Sequence, residues 1–361
     1  MNNKMMLHKF RKIAAAAALI LLAGSCAKEP SESWQDNELR IIKATQQYYH
    51  PNAKPIEPDG SLWLISHTHA GSSAASAVGG YVAIDYTGRT LPISGGYVFR
   101  TTDSTTARRL GTFATTTHFA PIFTLDTTSL QHALFEAYRR LHVGDTIEIM
   151  SASWHAFGSE GSASWSGEGS LPANTPIIFR IILREIAPNP KARELEMVEN
   201  YVASRPEFVK AKNHEGEELE GFYISRVDTV PLDTALRLDS AAHYATNEDR
   251  VSVKYAGYYL QDNFLLDTNI DSVATKRGWS ITTTDSTFFT YDFTADASNT
   301  EVIKAMHLAL LNVAPGSWVE AVFTSDYAYG SEGDMRTTLR PVYHYTPLRF
   351  RIYVGKIKAK E

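Results

Sequence analysis

Two imidazoles stand one residue apart at His67-Thr68-His69, a spacing that sets both on one face of a strand and that some metal sites use. No acidic or cysteine partner lies nearby in the chain, so no metal is expected there. Residues 71–80 are rich in Ser, Ala and Gly but lack the Lys-Ser/Thr ending of a phosphate loop, and they read as a flexible connector. Residues 158–169 interleave Ser and Glu without a Gly-x-Ser-x-Gly elbow, so no serine hydrolase follows. The single cysteine, Cys26, excludes intrachain disulfides, cysteine-rich zinc sites and two-thiol redox chemistry. What is left is aromatic: tyrosines and phenylalanines spread through both halves, and one telling acid, Asp267, directly after the apolar Phe264-Leu265-Leu266.

The elements that must carry these residues occur twice. Leu130, Leu134, Tyr138 and Leu141 recur 172 positions later as Val302, Met306, Leu310 and Val313, at a spacing that puts each set on one helix face. A glycine follows each set, Gly144 and Gly316, then a β-like stretch, then an aromatic-Gly turn at Phe157-Gly158 and Tyr329-Gly330. Upstream, residues 82–88 match 251–257, both alternating as half-buried strands do. Each half also opens on a helical pattern, around Leu39 and Ile42 and again around Leu195, Val198 and Val202. Pro188 and Pro190 mark the boundary. Strands dominate and a helix does not follow each one, so the expected class is α+β, an antiparallel sheet with one helix packed on one face in each half.

At 361 residues, 43% hydrophobic, the chain can bury a sizeable core. Four cations and no anion fall in the first 25 residues, so the net −5 leaves −9 on the rest. That sign gives no drive toward nucleic acid. Lys4, Lys9, Arg11 and Lys12 precede an apolar run of 11 residues, 13–23, half of what a membrane-crossing helix needs. Leu22-Ala23-Gly24-Ser25-Cys26 resembles a bacterial lipobox, in relaxed form at Ala23. The resemblance implies cleavage and lipidation at Cys26, and hence a body tethered to a membrane of the cell envelope, the outer membrane in a bacterium; an ordinary secretory peptide is the plainer alternative. The expected organisation is a signal peptide over 1–25, a polar tether over 26–36, one domain over 37–187 and a second over 188–361.

The second half carries a further resemblance. Val253-Lys254-Tyr255-Ala256-Gly257, then Leu266-Asp267, then Glu301-Val302-Ile303, then Asp326-Tyr327-Ala328-Tyr329-Gly330-Ser331-Glu332-Gly333, follow one another in an order that resembles the FKBP-type peptidyl-prolyl isomerases. The match runs over about residues 250–358, with a long insertion between Asp267 and Phe288. The resemblance implies two tandem FKBP-like domains and a proline pocket in the second. Asp267, Tyr329 and the Ile303 backbone N–H would serve catalysis. Tyr255, Leu266, Phe289, Val302, Met306 and Phe350 would bind substrate. Leu266 and Met306 stand where the family has an aromatic and a tryptophan, so the pocket floor is softer here. Ser298 and Glu301 read as a capping box that fixes the helix start.

In the first half the acid falls at Arg100, the turn tyrosine at Phe157 and Glu-Val-Ile at Ser129-Leu130-Gln131, with Tyr86, Phe99, Phe123 and Phe179 as family-like wall residues. That half is expected to be inactive. The whole implies an isomerase and folding helper acting on proline-containing polypeptides, needing no cofactor and no metal, and not binding nucleic acid. The alternative is a catalytically inactive lipoprotein that keeps the frame as a binding or assembly module.

Overall fold

A computed structural model describes residues 33–71, 80–125, 131–164, 166–247, 249–282, 287–337 and 339–359. Cys26, the lipobox, most of the Gly/Ser connector and Leu130 lie outside them.

Alternating apolar residues build two seven-stranded antiparallel sheets. The first uses β1 (Lys54–Pro55), β2 (Leu62–Thr68), β3 (Tyr81–Thr90), β4 (Val98–Thr101), β5 (Ile122–Leu125), β6 (Thr146–Ser151) and β7 (Ile177–Ala187), in the order β1-β2-β6-β7-β3-β4 with β5 on β3. The second uses β8 (Val209–Lys212), β9 (Glu218–Asp228), β10 (Asp249–Tyr259), β11 (Leu265–Thr268), β12 (Phe289–Asp292), β13 (Trp318–Phe323) and β14 (Leu348–Ala359). Its order, β8-β9-β13-β14-β10-β11 with β12 on β10, is the first sheet strand for strand. The repeat in the sequence is therefore a repeat of topology.

Each half opens on a long helix, α1 (Trp34–Tyr49) and, after α2 (Ser104–Leu110) and α3 (His132–Tyr138), α4 (Pro190–Ala203). Ser33 and Asp36 form a capping box at the start of α1, so the end of the expected tether is already helix. Asn189 caps α4, with Pro190 inside its first turn where a missing N–H costs nothing. One buried glutamate ties each helix to its sheet. Glu38 accepts from the Ser153 N–H and hydroxyl at 2.8 and 2.7 Å; Glu194 accepts from the same two groups of Ser325 at 2.7 and 3.0 Å.

The central helices are shorter than the apolar periodicity predicts. α3 ends at Tyr138, and in the second half, after α5 (Leu232–Leu238) and α6 (Asp271–Lys276), α7 spans only Lys304–Leu308. Val302 and Ile303 precede it, and Ile303 is extended at φ −63°, ψ 148°. The predicted capping box does not form. Ser298 and Glu301 instead donate their backbone N–H groups to Asp296 and Asn299, and Glu301 Oε2 accepts from the Asp292 N–H. A turn of Asx type, not a cap, sets up the helix start. α7 and the turn after it bury Ala305, Met306, Ala309 and Leu310 in one core with Val253, Val319, Ala321, Ile352 and Val354, and α3 with its following turn does the same in the first half through Ala133, Ala137, Tyr138 and Leu141. Each large apolar side chain so buried contributes about 1.5–3 kcal/mol. Beyond the single helix expected in each core, α2, α5 and α6 lie in the connections, α6 within the long insertion after Asp267.

The halves touch. His118, its side chain 1% exposed, stacks on Tyr259 with centroids 3.9 Å apart and on Phe264 at 4.7 Å, and its Nε2 lies 2.7 Å from Asp262 Oδ2.

Candidate functional site

Gly257 organises the site on the second sheet. In register it pairs with Phe350 on one side and Asp267 on the other. A Cβ at this position would stand 2.5 Å from the Phe350 ring, so only glycine lets that ring lie flat against β10. Phe350 stacks on Tyr255 with centroids 6.0 Å apart and planes 17° apart, and Phe289, from β12, meets Tyr255 edge-on at 6.1 Å. Three rings from three adjacent strands thus form a wall. Asp267 joins it through the Tyr255 hydroxyl, which donates to Oδ2 at 2.7 Å, while the Thr268 N–H donates to Oδ1 at 2.9 Å. Burial pushes the Tyr255 phenol up from its ordinary value, and the Asp267 carboxylate pushes the same way. It stays a donor throughout the physiological range.

α7 and the turn after β13 close the other sides. Met306 is buried at the floor, its carbonyl accepting from the Tyr291 hydroxyl at 2.8 Å. Val302 and Ile303 stand at the mouth of the helix, half-buried. The Ile303 carbonyl takes the Met306 N–H at 2.9 Å, while its own N–H, ahead of the first turn, belongs to no helical ladder. Tyr329 comes from the aromatic-Gly turn, which Gly330 allows at φ +64°. Burial raises the Tyr329 phenol, and the carboxylates of Asp334 and Asp267 raise it further through space, without hydrogen-bonding to it.

Together these groups enclose a cavity of about 600 Å³ lined by Tyr255, Asp267, Phe289, Val302, Ile303, Met306, Tyr329 and Phe350. Leu266 is the one expected site residue that does not line it. Successive strand residues face opposite ways, so with Asp267 on the cavity Leu266 turns into the core that Met306 and Phe350 share. Parts of the wall not assigned to it from the sequence include the 297–301 turn and Arg336, which is bound to Asp334 at 2.6 Å. Neither carries a periodic signal, since both are loop residues brought in by the turns around them.

The corresponding place in the first half is filled. Arg100 pairs with Gly88 as Asp267 pairs with Gly257. The Tyr86 hydroxyl is buried with no partner, where Tyr255 has its carboxylate. Phe99 and Phe179 are fully buried there and Phe157 meets Phe99 edge-on at 5.6 Å, so the cup is packed with its own rings. Phe123 is not among them. It packs with Tyr81 and Tyr343 in a separate cluster toward the second half.

No protein-family model matches the chain, and no curated protein matches it in sequence. Among solved structures it is similar to the three FKBP domains of wheat FKBP73, with 13% identity over 85% of this chain and 99% of that one and a TM-score of 0.30. It is similar also to a peptidyl-prolyl cis-trans isomerase from Pseudomonas syringae pv. tomato, at 18% identity over 48% of this chain and 96% of that one, TM-score 0.31. FkpA from Escherichia coli follows at 15%, over 48% and 62%, with a TM-score of 0.32.

Proposed function

We propose that this chain is an FKBP-type peptidyl-prolyl isomerase with two tandem FKBP-like domains, that its second half works on X-Pro bonds of exported polypeptides, and that its first half is inactive. The observation that carries the reading is the convergence of Tyr255, Asp267, Phe289, Ile303, Met306, Tyr329 and Phe350 on one cavity, from residues spread over about a hundred positions of the chain.

An X-Pro amide resists rotation by ~18–20 kcal/mol because resonance makes its C–N bond partly double and its planar form strongly dipolar. The twisted amide has lost that resonance and is less polar. A water-poor cup that grips the pyrrolidine ring between Tyr255, Phe289 and Phe350 therefore favours the twisted state over the planar one. Tyr329 and the Ile303 N–H are the donors available to flanking carbonyls, fixing them while the bond turns. Asp267 orients Tyr255 and contributes its field; no proton has to move. An N-terminal lipid on Cys26 would hold this body at an envelope membrane, where unfolded exported chains arrive and proline steps are slow.

A second reading, a binding module without turnover, has Met306 in its favour: a soft floor grips less rigidly than an aromatic plate. Proline-limited refolding separates the two. The isomerase reading expects acceleration that Tyr329→Phe and Asp267→Ala diminish; capture of polypeptide with no acceleration leaves the module.

A further inference from the structure

At the corner where β2 leaves the first sheet, one carboxylate oxygen is crowded by imidazoles. Asp145, its side chain 1% exposed, places Oδ2 3.1 Å from His67 Nε2, 3.1 Å from His69 Nδ1 and 3.2 Å from His142 Nδ1, and Oδ2 also faces the His142 N–H at 3.0 Å. The other oxygen, Oδ1, accepts the Ala70 N–H at 2.8 Å. A carboxylate oxygen has about two lone-pair sites, so four nitrogen neighbours exceed what hydrogen bonding alone can use. Chain distance hid this arrangement: pairing of β2 with β6, His67 opposite Ile147, brings together residues 76 and 78 positions apart. The expectation that His67 and His69 lack an acidic partner is thereby corrected.

The second half supplies a control within the same molecule. Its equivalent corner has Val227, Thr229, Ala314 and Ser317 where the first half has His67, His69, His142 and Asp145, as the pairing of Trp318 with Asp228 and of Thr146 with Thr68 establishes. There Ser317 Oγ accepts the Val230 N–H at 2.9 Å, the job that Asp145 Oδ1 does for Ala70. The glycine before it is close-packed in both copies: a Cβ on Gly144 would come to 2.8 Å from Ala70, and one on Gly316 to 3.3 Å from Val230. One small acceptor thus suffices to fold the corner. A carboxylate with imidazoles around it is more than the fold requires.

We propose that His67, His69 and Asp145 bind a first-row divalent transition ion of the zinc class, with solvent completing the coordination and the His142 N–H holding the carboxylate in place. The three donor atoms lie within 4.8 Å of one another, and ligands about 2.0–2.2 Å from a tetrahedral ion sit about 3.3 Å apart, close to the 3.1 Å observed here from each imidazole to the carboxylate. Two neutral imidazoles and one carboxylate suit zinc, and the Ala70 N–H orients the carboxylate from behind. His69, 62% exposed, leaves an approach from solvent. The ion would pin the end of β2 to the turn before β6, among residues none of which lines the aromatic cavity.

Calorimetric titration of the purified protein, free of any histidine tag, with ZnCl2 tests this. The expected result is saturation at one ion per chain, with Co²⁺ in its place giving the visible absorption of a tetrahedral site. Asp145→Ser keeps an acceptor for Ala70, as the second half does, and so is expected to fold; because it removes a ligand itself, it should weaken binding by more than the roughly 10–100-fold that losing an outer-shell partner costs. The double variant His67→Gln, His69→Gln should do the same with the carboxylate still in place. Wild-type protein that takes up no ion stoichiometrically, or undiminished uptake by both variants, would overturn the assignment.

Discussion

Tyr255 donates its hydroxyl to Asp267 across 2.7 Å, and at the same place in the first half Tyr86 has no such partner because Arg100 stands where the acid would be, its guanidinium 5.7 Å from the centre of the Tyr86 ring. An exchange of charge at a strand position opposite a glycine thus accompanies the difference between an open, polar-edged cup and one packed with its own rings.

Removing that acid should disable the cup without unfolding it. Asp267 is exposed on its strand, so Asp267→Ala is expected to leave the thermal midpoint nearly unchanged. Its proline-isomerase rate should fall about tenfold, the effect of losing ~1.4 kcal/mol of transition-state stabilisation. Steady-state rates beside a melting curve of the same sample check both halves of the statement.

Gly257→Ala should do the reverse, costing both stability and activity. The added methyl meets the Phe350 ring at 2.5 Å, and that ring is buried between Tyr255 and Phe323. Overpacking of this kind costs about 1–3 kcal/mol. A urea midpoint together with the isomerase rate reads the result; an unperturbed variant would mean that the ring is free to lift.

Stability should decline as pH rises above about 4.5. Burial raises the carboxyls of Glu38 and Glu194, against the pull of the serine hydrogen bonds they accept. Raised acids hold protons more tightly folded than unfolded, so their contribution is complete below the ordinary value of 4.5 and is lost as pH climbs through the raised ones. Urea titrations at a series of pH values should show this fall in the wild type and a flatter profile in the double variant Glu38→Gln, Glu194→Gln.

His118 should couple the two halves. Burial alone would raise the Asp262 carboxyl, yet the hydrogen bond and charge of His118 hold it below its ordinary value. His118→Ala removes that bond and the stack on Tyr259, a loss of about 2 kcal/mol. Calorimetry is expected to show one transition in the wild type and a broadened or split one in the variant.

Period and order made much of this molecule legible from its residues. Alternation marked the strands, and because both sheets repeat the same order, landmarks 169 to 172 residues apart fell in register. Of the candidate cavity, Tyr255, Asp267, Met306, Tyr329 and Phe350 were legible in the sequence as residues that would come together, and each lines it. Leu266 was misjudged because adjacency in sequence hides the two faces of a strand. The Ser298 and Glu301 cap failed because Asp296 and Asn299 compete locally for the same backbone donors. His67 and Asp145 could not be joined from the chain alone, since nothing short of the β2 to β6 register brings them together.

Exchange NMR on a short peptide containing one X-Pro bond, with and without catalytic amounts of the protein, reads turnover in the cavity directly. An isomerase in the second half makes cis-to-trans exchange visible on the mixing timescale with the wild type and strongly reduced with Asp267→Ala. Exchange that stays at the uncatalysed rate, tens to hundreds of seconds, while the peptide still contacts the cavity would contradict it.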